Sequence, residues 1–88
     1  MDSFIQYINF SNLSKTTKQS HLRYIKLMKD LLETYPEIVQ AHLAENYTLN
    51  KQFQVCKTLS KYYEFHKRDE DRVKILNYAL DIKSRLSA

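Results

Sequence analysis

Not one of the 88 residues in this chain is a glycine, and Pro36 is its only proline. Glycine takes positive φ without steric cost, so tight hairpins and phosphate-cradling loops lose their usual residue here. That argues against a β-sandwich, a dinucleotide-binding fold or a P-loop, and for helices joined by short polar turns. The length allows one domain, spanning residues 1–88, with a core that buries about 60–65% of the unfolded chain's surface. A hydrophobic fraction of 43% is enough to pack that core, which excludes a fully disordered chain. The expected fold is all-α, a compact bundle of four to five short helices.

Five helical segments follow from the spacing of apolar residues. The first, about Ser3 to Phe10, carries Phe4, Ile5, Tyr7 and Ile8 and is too short to persist without docking. Ser14 sits at an N-cap position, with Leu13 before it as a hydrophobic staple, and opens a second helix expected to run to about Thr34. On that helix Tyr24, Ile25, Leu27, Met28, Leu31, Leu32 and Tyr35 share one broad arc. Pro36 disfavours helical dihedrals at Tyr35 and then serves as an early residue of a third helix, to about Ala44, with Ile38, Val39 and Leu43 inward. Thr48 or Asn50 caps a fourth helix to about His66, with Phe53, Cys56, Leu59, Tyr62 and Tyr63 on its apolar side. In the charge run Lys67–Arg72, Asp69 suits the cap of a fifth helix, with Glu70 and Asp71 at the positive end of its dipole. That helix continues through Val73, Leu76, Leu80 and Leu86.

The chain carries 14 Lys and Arg against 10 Asp and Glu, a formal charge of +4, which favours a polyanionic partner. The charge is not evenly spread. Lys15, Lys18, Lys26 and Lys29 fall within roughly 80° on the solvent side of the second helix, whose first turn adds Thr16, Thr17 and nearby Ser20. On the fourth helix Lys57 and Lys61 lie one turn apart, with Lys51, Gln54 and Thr58 beside them in projection. Lysines neutralise phosphates, hydroxyls fix register and a glutamine can address a base edge. Two amphipathic helices packed through their apolar sides are expected to turn these residues toward one ligand, double-stranded DNA. The candidate interface is Lys15, Thr16, Thr17, Lys18, Lys26, Lys51, Gln54, Lys57, Thr58 and Lys61.

Catalytic patterns are not found. His21, His42 and His66 are far apart and lack Cys, Asp or Glu partners at metal-ligand spacing, so each is read as a helix-surface or boundary residue and no metal or cofactor is expected. Cys56 is the only cysteine, which suits a reducing compartment and a small buried thiol. Cys56 and His66 would stand about 15 Å apart along one helix, too far to pair. The tyrosines beside the apolar faces, Tyr24, Tyr35, Tyr62 and Tyr63, are read as rings buried with their hydroxyls toward water. No apolar run reaches the ~18–20 residues of a membrane span, and the start of the chain has no signal-peptide layout, so an intracellular protein (cytoplasm, nucleoid or nucleus) is expected.

At Leu13-Ser14-Lys15-Thr16-Thr17, followed by a long amphipathic helix, the sequence resembles the SAM-like N-terminal core-binding domain of tyrosine recombinases and phage integrases. The later segment Lys57-Thr58-Leu59-Ser60-Lys61-Tyr62-Tyr63-Glu64-Phe65 is similar to that family's lysine-or-arginine, x, Leu-Ser-x-Leu-x-x-Phe stretch. The likeness covers about Phe4 to Phe65 and, more loosely, the last helix. It implies one half of a helical clamp on duplex DNA, with Thr17, Lys18, Lys57 and Lys61 at phosphates and the major groove. The family's catalytic part, with its arginines, His-x-x-Arg box and nucleophilic tyrosine, has no room in this sequence, so no tyrosine here is assigned as nucleophile. A catalytic domain elsewhere, or further protomers on the DNA, would be the partners.

Two other readings compete. A small protein-interaction or regulatory module would present Ile5, Ile75 and Ile82 to a partner helix. A helix-turn-helix regulator fits less well, because its turn often contains glycine and Pro36 stands where that turn would be. An enzyme acting alone is not expected.

Overall fold

Five α-helices and one 3-10 turn make up the computed structural model, which describes residues 2–88: α1 (Asp2–Asn9), α2 (Lys15–Leu27), the turn Lys29–Leu31, α3 (Pro36–Asn46), α4 (Leu49–Phe65) and α5 (Asp69–Ser87). No strand occurs among the described residues. The all-α bundle expected from the absence of glycine is the architecture observed.

α4 is the axis. It buries Gln52, Val55, Cys56, Thr58, Leu59, Tyr62 and Tyr63, an arc wider than a surface helix needs, and it packs against α2, α3 and α5. α1 docks through Phe4 and Ile8, both fully buried, with the Phe4 ring 5.3 Å from Tyr62 and 5.6 Å from Phe65. Burying side chains of this size contributes about 1.5–3 kcal/mol each, which is what holds so short a helix in place. Both side-chain caps read from the sequence form: the Thr17 amide donates to Ser14 Oγ at 3.2 Å, and the Lys51 amide donates to Thr48 Oγ1 at 3.3 Å. Thr48, not Asn50, caps α4.

α2 ends sooner than expected. It closes at Leu27, and the chain tightens into a 3-10 turn in which the Leu31 amide donates to the Met28 carbonyl at 2.8 Å. The segment beyond that turn is held from far along the chain. The Arg68 guanidinium donates to the carbonyls of Leu32 and Thr34, pairs with Asp71 at 2.7 Å and covers the Tyr63 ring at 4.4 Å. Those charge-assisted bonds satisfy two carbonyls that no helix pairs here. Leu27 and Tyr35, expected inside, are 43% and 72% exposed. Ile38, also expected inside, faces out on α3, where Pro36, Val39 and Leu43 are buried instead.

α5 departs from the sequence reading twice. Its cap position is Arg68, with Asp69 already the first helical residue. Its buried side is Ile75, Ala79 and Ile82, while Val73, Leu80 and Leu86 are exposed. The turn between α4 and α5 ends α4 with the Arg68 amide donating to Tyr63 carbonyl at 2.8 Å and the Lys67 amide to Glu64 carbonyl at 3.1 Å. Lys67 takes φ 57 there, the left-handed position that a glycine normally fills.

Candidate nucleic-acid interface

α2 and α4 run antiparallel, and a cleft follows the seam between them. Toward the start of α2 its walls are Thr16, Thr17, Ser20, His21 and Tyr24, facing Gln54, Lys57 and Thr58. Toward the end of α2 they are Arg23, Tyr24, Lys26 and Leu27, facing Thr48, Asn50, Lys51 and Gln54. Tyr24 and Gln54 belong to both stretches, so the two adjoin along the seam. Seven of the ten residues singled out in the sequence, Thr16, Thr17, Lys26, Lys51, Gln54, Lys57 and Thr58, therefore line the cleft. No Asp or Glu does.

The floor is a buried polar contact. His21 is 6% exposed and shares a hydrogen bond at 2.7 Å between its Nδ1 and Thr58 Oγ1. Burial first, then the nearby Lys61 and Lys57 ammonium groups, hold the imidazole pKa below its ordinary value of 6.5, so the ring is neutral at physiological pH. Two expectations are corrected here. Thr58, at 1% exposure, is no free surface hydroxyl: its oxygen is engaged by His21. His21, read as a surface or boundary residue, ties the two helices together, because each polar group satisfies the other out of water.

The remaining sequence candidates differ in freedom. Lys61 is half-buried but close enough to His21 to lower its pKa. Lys18 donates from Nζ to the Asn9 carbonyl at 2.8 Å and so caps the end of α1. The Thr17 hydroxyl accepts from Ser14 Oγ at 2.9 Å, and Lys15 is exposed outside the cleft walls. Lys51 lies over the Tyr47 ring at 5.0 Å, which steadies its ammonium at the rim.

Arg23 and Asn50 line the cleft and were missed. Arg23 falls outside the narrow angular window that collects the α2 lysines, and Asn50 was considered only as a cap. A simpler signal would have found the region: no Asp or Glu occurs from residue 3 to 29 or from 46 to 63, where eight Lys and Arg do. Carboxylates lie elsewhere, and some pair there, Glu37 with Lys74 at 2.9 Å and Glu64 with Arg72 at 3.3 Å.

The one thiol and two of the phenols are buried and held protonated. Burial pushes the Cys56 thiol up to about 12 and the Tyr63 phenol to about 12, and Tyr62, buried and donating to Glu33 Oε1 at 2.6 Å, to about 12. No cluster of three or more His, Cys, Asp or Glu side chains forms among the described residues, and no helix there is long and apolar enough to cross a membrane. Comparison of the chain with protein-family models, with characterised proteins and with solved structures returns no match.

Proposed function

We propose that this chain is a duplex DNA-binding module that grips one phosphate backbone along the α2–α4 cleft, in the manner of the core-binding half of a tyrosine recombinase or integrase, with any chemistry supplied by another domain or chain. The observation that carries the reading is the cleft's charge: Arg23, Lys26, Lys51 and Lys57 stand on its walls with no carboxylate among them, and Lys61 adds to the field at its floor. Length agrees with that use. The 13 residues of α2 extend about 20 Å, enough to pass several consecutive phosphates of one strand. Exposed Thr16 and Gln54 stand between the cations, where a hydroxyl and an amide fix register on phosphate oxygens or meet a base edge.

Neutralising about five phosphates predicts a log–log salt slope near −4.5 and modest affinity, on the order of micromolar, for duplex of any sequence. Fluorescence anisotropy with a labelled random-sequence duplex at about 50 and 200 mM salt measures both. Replacing Lys57 and Lys61 by alanine together is expected to weaken binding to all sequences alike and to flatten the slope by about 2. Unchanged affinity and slope in that double variant would overturn the proposal.

A further inference from the structure

α5 carries two apolar stripes. Ile75, Ala79 and Ile82 are packed inside, whereas Val73, Leu76 and Leu80, at i, i+3 and i+7, form a second stripe whose ends are 52% and 63% exposed. Beside that stripe lies a groove of about 280 Å³ between α4 and α5, lined by Phe53, Lys57, Leu76, Ala79, Leu80 and Lys83. Its charged groups are two lysines, one from each helix, and neither has a carboxylate within ion-pair distance among the described residues. Two acids on these helices pair with arginines instead: Glu64 with Arg72 at 3.3 Å, and Asp81 with Arg85 at 2.9 Å.

We propose that this groove docks an acidic amphipathic helix of a partner protein, whose leucine-type side chains enter between Phe53 and Leu80 while its carboxylates meet Lys57 and Lys83. The groove falls just below the usual size of a small-molecule pocket but suits the i, i+3, i+7 anchors of a helix laid in a groove. Its rim selects the sign of the partner. A second copy of this chain pairing through the same face would set Lys57 and Lys83 against their own counterparts, like charges that cost free energy when brought together away from water. The inference does not depend on DNA binding. Lys57 is the one residue shared with the α2–α4 cleft, so an acidic helix seated here also takes one cation from the DNA-binding wall.

The test is an NMR titration of the isotope-labelled chain with a synthetic helix of about 15 residues, carrying leucines at i, i+3 and i+7 and glutamates on both flanks. Shifts confined to Phe53, Leu76, Leu80, Lys83 and their neighbours are expected. A peptide with lysine in place of each glutamate should bind about tenfold more weakly or worse, as should the Leu80→Ala and Lys83→Glu variants toward the acidic peptide. Both substituted residues are exposed, and circular dichroism of the free variants confirms that the fold is kept. Equal binding of the lysine-flanked peptide, shifts confined to another face, no shifts at all, or concentration-dependent self-association through the same residues would each overturn the proposal. None of these outcomes alters the duplex anisotropy result.

Discussion

The two sides of α4 are held by different physics. Toward α5, the partner helix buries Ile75, Ala79 and Ile82, with polar links at the margins: the Tyr78 hydroxyl to Gln52 Oε1 at 2.6 Å, Gln52 Nε2 on to the Tyr47 carbonyl at 2.8 Å, and the exposed Arg72–Glu64 pair at 3.3 Å. Toward α2, beside the fully buried Ile25, one buried contact is polar, His21 with Thr58, beneath a rim of lysines. An apolar seam gains roughly in proportion to area and tolerates no gaps. A polar seam contributes little net stability while both partners are present, and costs heavily when one is lost. One helix can thus anchor the fold along one side and carry a concentrated positive charge along the other, because lysines there stay in water rather than in the core. The α5 seam is where stability is stored, and the α2 seam is where charge is displayed.

The strongest challenge to that division is Ile75→Ala, which empties a fully buried site on α5. It should cost about 2–5 kcal/mol in chemical denaturation while leaving the affinity of the folded fraction for duplex DNA unchanged. A loss much below that range would mean that the α5 seam is not the main anchor. Next comes Thr58→Val, of nearly equal volume, which strands His21 Nδ1 without a partner; about 1–3 kcal/mol is expected.

The pH profile sharpens the same contact. His21 has its pKa lowered on folding, so the unfolded chain binds more protons as pH falls through the imidazole range. The contribution of His21 is therefore fully present above about pH 6.5, declines as the pH drops, and levels off below the depressed folded value. One proton limits the slope to about 1.4 kcal/mol per pH unit. Denaturation midpoints measured from pH 7.5 down to 5 should show this decline in the parent chain and lose the His21 component in His21→Gln. Identical profiles would remove His21 from the account.

The smallest effect tests the connection between the two seams. Lys67 holds a left-handed conformation at the end of α4. Lys67→Gly relieves that strain and should stabilise the fold by about 0.5–1 kcal/mol, a rise in thermal midpoint of a few degrees, with DNA affinity unchanged because Lys67 lies outside the cleft.

What could be read from the sequence follows the range of the interactions. Helix count, the Ser14 cap and the docking of Phe4 and Ile8 are decided by neighbours a few residues away or by plain hydrophobicity. The segment after α2 is held by Arg68, more than thirty residues later, through the Leu32 and Thr34 carbonyls, and no local pattern contains that contact. The inward side of α5 was misjudged because the helix has two apolar stripes, and only packing against α4 selects Ile75, Ala79 and Ile82 over Val73 and Leu80. At the cleft, exposed lysines were legible as charge opposite an apolar face. Thr58 and His21 were not, because a buried polar pair looks like two surface residues until the helices are brought together.

Amide chemical-shift mapping of a random-sequence duplex on the labelled chain at low salt examines the cleft directly. The account predicts perturbations along Thr16, Ser20, Arg23 and Lys26 on α2 and along Lys51, Gln54, Lys57 and Lys61 on α4, collapsing as salt is raised. A footprint confined to α3 and the outer face of α5, or one that survives high salt unchanged, would contradict it.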